Sequence, residues 1–147
     1  LVSIHRIGVA VTVALGLLVA TACGGSGSAN TPAQRIAATV KQFEVAAIGG
    51  DGATYCALLT DTERTRVLSF VSRMFGLRGQ CPPTMHAILR LLVSSRTRAN
   101  TQVTAADVTV HGDLATVVLP GDGKPVQLTN VAGSWKVSAL PAPDFAG

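Results

Sequence analysis

The stretch Val108-Thr109-Val110-His111-Gly112-Asp113-Leu114-Ala115-Thr116-Val117 decides the fold class. Apolar and polar residues alternate on both sides of a His-Gly-Asp turn, the pattern of two antiparallel strands that each bury one face. Toward the C-terminus the same period returns twice. Pro120-Gly121-Asp122-Gly123 is a turn signal, and Val126 and Leu128 then alternate with Gln127 and Thr129. Ala132-Gly133-Ser134 turns again, and Trp135, Val137 and Ala139 alternate with Lys136 and Ser138. Toward the N-terminus, Val103, Ala105, Val108 and Val110 belong to the first strand, with a bulge expected near Ala106-Asp107. Residues 101–140 are therefore predicted to form a four-stranded antiparallel meander.

Before residue 101 the period becomes helical. Thr31-Pro32 starts a helix, with a capping hydroxyl followed by proline in the first turn. Ile36, Val40, Phe43 and Ala47 then form one apolar stripe, and Gly49-Gly50-Asp51-Gly52 stops it. A short segment, Ala53 to Leu59, carries Tyr55, Cys56, Leu58 and Leu59. Thr60-Asp61-Thr62-Glu63 fits a capping box for a second helix, whose stripe is Val67, Phe70, Val71, Met74 and Phe75. Gly76 and Gly79 break that pattern. Cys81-Pro82-Pro83 is predicted to be extended, with Thr84 capping a last helix that buries Met85, Ile88, Leu89, Leu92 and Val93. Met74 and Met85 are expected to fill the core, as are Tyr55 and Trp135, whose polar atoms should find partners. Helices first and a meander second define an α+β class, with the helices covering one face of the sheet.

The N-terminus carries a different signal. Residues 7–20 are apolar apart from one threonine and follow a short segment containing Arg6. As a helix they span about 21 Å, short of a hydrocarbon core of about 30 Å, which suits the apolar region of a signal peptide. Val19-Ala20-Thr21-Ala22-Cys23-Gly24-Gly25 looks like the lipobox of a bacterial lipoprotein leader. That resemblance implies a signal peptide over 1–22 and attachment of diacylglycerol to the Cys23 thiol. It also implies a flexible Gly/Ser tether over 23–31 and a body held at the extracytoplasmic face of the cell membrane. The alternatives are a secreted protein cut near Ala22 and an uncleaved N-terminal anchor.

Removing residues 1–22 lowers the formal charge from +4 to +3, because Arg6 is the one charged residue lost, and leaves one domain by length. Of the three cysteines, the one expected to carry lipid, Cys23, is set aside, which leaves Cys56 and Cys81. In an oxidising compartment that pair is expected to form one disulfide, the alternative being two free buried thiols. Neither His86 nor His111 has ligand spacing with the cysteines, so no metal or other cofactor is expected.

Seven arginines (Arg64, Arg66, Arg73, Arg78, Arg90, Arg96 and Arg98) fall in a stretch without a single acid. One reading is a solvated helix surface. The other is a basic face for anionic lipid headgroups, acidic wall polymer or an envelope protein. Nucleic acid is disfavoured by compartment and by the lack of interleaved aromatics.

The first helix ending in Gly50-Asp51, the Tyr55-Cys56-Ala57-Leu58-Leu59-Thr60 segment, Cys81, the Val108–Val117 pattern and Gly133-Ser134-Trp135-Lys136-Val137 carry a wider resemblance. Over residues 32–140 the chain resembles small lipoproteins of the nuclear transport factor 2-like superfamily, of the type found in actinobacteria. The resemblance implies a cystatin- or cone-like fold in which N-terminal helices pack on a curved four-stranded sheet, often with a pocket at the open end. Residues 141–147 follow as a loose tail.

Some members of that superfamily are isomerases, cyclases or dehydratases that use an acid and a base in the pocket. Here the candidates are Tyr55, His86, Asp107 and His111, with Asp107 able to point inward from the first strand. No two share a local spacing that would pair base with acid. Nucleophile-elbow and Gly-rich phosphate-loop sequences are both lacking. The expectation is a non-enzymatic, membrane-anchored binding or interaction module of the cell envelope. The alternative is a small-molecule isomerase or cyclase. Asp107 within reach of Tyr55 or His86 in a pocket would favour the enzyme, whereas an interior filled with Leu, Val and Phe side chains would favour an interaction module.

Overall fold

A computed structural model describes residues 30–93, 102–120 and 123–141. The leader, Cys23, most of the tether, Arg96, Arg98, Gly121-Asp122, the tail beyond Pro141 and the side chain of Val93 lie outside the described residues. The described residues form helices α1 (Pro32–Gly49), α2 (Gly52–Leu58), α3 (Asp61–Phe75) and α4 (Cys81–Val93). A single 3-10 turn (Ala105–Asp107) follows, then strands β1 (Val108–His111), β2 (Leu114–Val118), β3 (Pro125–Val131) and β4 (Ser134–Ala139). The class is α+β, as expected.

Helix α1 begins as its sequence dictates. Thr31 Oγ1 accepts from Gln34 N at 3.2 Å, and Gln34 Oε1 accepts from Thr31 N at 2.8 Å, so the cap is reciprocal. Ile36, Val40, Phe43 and Ala47 are all buried. Gly50, at φ +69°, ends the helix in the left-handed conformation. The Ala53–Leu59 segment is mostly helix α2, whose cap is Asp51: Oδ1 accepts from Thr54 N at 3.0 Å. Hydrogen bonds from Thr54 hold the Asp51 carboxyl below the usual carboxylate range.

Gly52 is not a helix stop but a contact. A Cβ there would overlap the carbonyl oxygen of Pro82 and stand 2.5 Å from His86 N, so α2 and α4 touch backbone to backbone. Gly52→Ala should therefore lower stability by about 2 kcal/mol. Gly49→Ala, at a helical position with nothing within 4 Å, should be neutral or stabilise by up to about 1 kcal/mol. Urea midpoints of the two variants check the pair.

Two helical expectations need correction. Cys81-Pro82-Pro83 is not extended: α4 starts at Cys81 and takes both prolines into its first turn. The first-turn N–H groups of a helix have no intrahelical acceptor, so proline loses nothing there. Thr84 is consequently buried within the helix, its N–H reaching Gln80 O at 3.3 Å, instead of capping it. In α3 the apolar stripe outruns its cover. Val71 is buried and Val67 and Phe70 are partly so, but Met74 and Phe75 are 54% and 43% exposed. Met85 does fill the core; Leu92 is partly exposed, at 39%.

The sheet order is β1-β2-β3-β4, with every neighbouring pair antiparallel, the predicted meander. Its register aligns Val108 with Val117, Val117 with Val126, and Leu128 with Val137. These residues share one face with Val110, Ala115 and Trp135, and α1 lies against it. The opposite face exposes Leu114, Val118 and Val131. The expected bulge near Ala106-Asp107 is the 3-10 turn instead, and the register irregularity lies at Gln127/Leu128. Beyond β4, Leu59 forms a parallel bridge with Val137, and Thr60 N donates to Val137 O at 2.9 Å. That segment covers the outer edge of β4 at Val137.

The β3–β4 turn places Ala132 at φ 50° and Gly133 at φ 84°. Two positive φ values match a type I′ hairpin, in which Asn-Gly is the favoured pair. Ala132→Asn should raise stability by about 0.5–1 kcal/mol, measurable as a higher urea midpoint with unchanged slope.

Candidate functional site

The space between helices and sheet is the first place to look for a pocket, and it is occupied. Ile36, Val40, Leu59, Ile88, Val117, Leu128 and Val137 belong to one cluster, each with 2% or less of its surface exposed. The Phe43 and Tyr55 rings meet at 4.5 Å between centroids inside it. Among the described residues, surface depressions lie outside this core. One runs along the end of α3 beside Leu68, Ser69, Ser72, Arg73, Leu77 and Arg78. Another is on the outer face of the sheet beside His111, Leu114, Thr116, Gln127 and Ser138.

The four candidate acid–base residues are put to other uses or set apart. Asp107 does not point into the core: its Oδ2 accepts from Thr104 N at 2.7 Å and Thr104 Oγ1 at 2.9 Å, capping its own 3-10 turn. Those hydrogen bonds hold its carboxyl below the usual range. His86 is exposed on α4, with Nδ1 2.7 Å from Gly50 O at the end of α1. His111 is exposed at the end of β1, and Tyr55 is packed in the core. Trp135 departs from expectation. Its Nε1 is buried without a hydrogen-bond partner among the described residues, as is Oδ1 of Asn130, its cross-strand neighbour.

The polar cluster that the fold does build is one that sequence reasoning missed. Thr60 Oγ1 caps α3 by accepting from Glu63 N at 3.3 Å, but the Glu63 carboxylate does not return to Thr60. It turns inward, with its side chain 3% exposed. Arg66 grips it with two bonds, Nε to Oε2 at 2.7 Å and Nη2 to Oε1 at 2.6 Å. Oε1 also accepts from Leu140 N at 3.0 Å, and Arg66 Nη2 reaches Leu140 O at 3.2 Å. The pair thus pins the chain just past β4 to the start of α3. Glu63 in turn raises the affinity of the Arg66 guanidinium for its proton. The i,i+3 spacing of Glu63 and Arg66 is a sequence signal for an ion pair; the Leu140 partner, far along the chain, has none.

The five described arginines of the acid-free stretch have different surroundings. Arg66 is held by Glu63. Arg64 bonds Cys56 O at 3.2 Å and Leu59 O at 3.4 Å and pairs with Asp61 at 3.2 Å. The Arg90 side chain packs over Gly50, where an added Cβ would stand 2.8 Å from its Cγ. Arg73 and Arg78 are exposed beside the α3 depression, with no acidic partner among the described residues.

Cys56 and Cys81 form a disulfide with a Cα–Cα distance of 6.0 Å, joining α2 to the start of α4, and both are buried. Among the described residues no group of three His, Cys, Asp or Glu is placed to hold a metal, and no helix is long and apolar enough to cross a membrane. No family model, curated protein or solved structure matches this chain.

Proposed function

We propose that the protein is a non-enzymatic interaction module of the bacterial cell envelope. In this reading Cys23 carries diacylglycerol, the tether follows, and a disulfide-locked body of nuclear transport factor 2-like type stands on the extracytoplasmic face of the membrane. The observation that carries the proposal is the filled interior: aliphatic side chains occupy the space between helices and sheet where a cone-shaped fold could hold a ligand. The isomerase or cyclase alternative has less support, because Asp107, its best base, already accepts two hydrogen bonds from Thr104. The buried disulfide supports an oxidising compartment.

A detergent phase split of the native protein tests the anchor. The chain should enter the detergent phase with a diacylglycerol mass on Cys23, and Cys23→Ala should move it to the aqueous phase. A bare Cys23 thiol on an aqueous protein overturns the reading.

A further inference from the structure

The end of α3 combines two features that the fold does not use. Met74, Phe75 and Leu77 are 54%, 43% and 38% exposed, a run of large apolar side chains where the helix has passed the body it packs on. Arg73 and Arg78 flank them, exposed and without an acidic partner among the described residues. Asp61 and Glu63, the acids at the start of the same helix, pair with Arg64 and Arg66. We infer that this end of α3 and the loop after it form a docking surface for anionic phospholipid. The inference rests on the proposed membrane attachment and adds to it an orientation of the body against the bilayer.

Charge complementarity and apolarity together select the partner. A soluble polyanion would engage Arg73 and Arg78 but leave Phe75, Met74 and Leu77 in water. An anionic bilayer takes both, the guanidinium groups at the phosphates and the apolar side chains below them. Each basic side chain near such a surface contributes about fivefold in affinity, so the two give about twenty-five-fold.

The test compares the full chain reconstituted in phosphatidylglycerol vesicles and in phosphatidylcholine vesicles, by amide hydrogen exchange over residues 69–79. Exchange should slow by about tenfold or more in the anionic vesicles alone. The slowing should disappear at about 0.5 M salt and in the Arg73→Glu, Arg78→Glu variant. Unchanged exchange over residues 36–47 shows that the variant is folded. Equal exchange in the two lipids overturns the docking surface. So does equal slowing by soluble polyphosphate, which would make this a polymer site, and so does full slowing in Met74→Ser, Phe75→Ser. The anchor is read separately in the phase split. An anchored chain with lipid-independent exchange loses only the docking surface. An unanchored chain protected only when phosphatidylglycerol vesicles are added keeps it.

Discussion

Removing the disulfide, as Cys56→Ser with Cys81→Ser, is expected to lower stability by about 3.5 kcal/mol, and the melting temperature by roughly 10 °C or more. The bridge spans a sequence separation of 25 residues, and in the chain-entropy account closing a loop of that length restricts the unfolded state by this amount. The location of the bridge adds to the effect. It lies beside Gly52, where α2 and α4 approach too closely for a side chain to intervene, so the cross-link and the contact hold the same two helices. Both sulfurs are buried, so the wild-type protein should resist mild reductant until it unfolds. Urea unfolding with and without reductant checks both points. A double variant within about 1 kcal/mol of wild type would mean that the unfolded chain is already restricted at this loop.

Arg66→Ala should destabilise the fold by about 3 kcal/mol. The change leaves the Glu63 carboxylate buried, with Leu140 N as its remaining donor among the described residues, and strips Leu140 O of the guanidinium. Arg66 is itself half exposed and retains part of its hydration in the folded state, which keeps the figure at the low end for a broken buried pair. The double variant Glu63→Gln, Arg66→Ala should recover at least about 1 kcal/mol, because a neutral amide brings no uncompensated charge inside. Added salt should reduce the wild-type advantage little, since the carboxylate is out of water. A deficit below about 1 kcal/mol, with no recovery in the double variant, would class the pair with ordinary surface ion pairs.

Much of the architecture was legible because its signals are local. Thr31-Pro32 and the Ile36, Val40, Phe43, Ala47 stripe specify α1 within a few turns of chain. The His111-Gly112-Asp113 and Ala132-Gly133 turns set the meander, and two cysteines left one pairing to consider. The misreadings fall where the deciding partner is distant. The spacing of Val67, Phe70, Val71, Met74 and Phe75 identifies a helix face but not how far the body beneath it extends. Glu63 has the position of a capping residue, and its distant partner, Leu140, which it holds together with Arg66, is brought to it by the whole sheet. Gly52 sits in a run of glycines that looks like a stop, and its need to lack a side chain appears only when α4 lies against it. Pro82-Pro83 suits a first helical turn as well as an extended segment, and local sequence does not choose between them. The candidate site was the least legible part. Asp107 has a sequence compatible with an inward-facing base, and Thr104, three residues before it, takes the carboxylate first.

The Leu59–Val137 bridge has a consequence for behaviour at high concentration. A fibril that grows by strand addition needs two open borders on every unit, one to receive and one to offer. Here the β4 border is occupied at Val137 by the molecule's own chain, while four-residue β1 has no strand on its far side among the described residues. Two copies meeting through β1 would form a closed pair, and adding a third through β4 would first require displacing the Leu59–Thr60 segment from Val137.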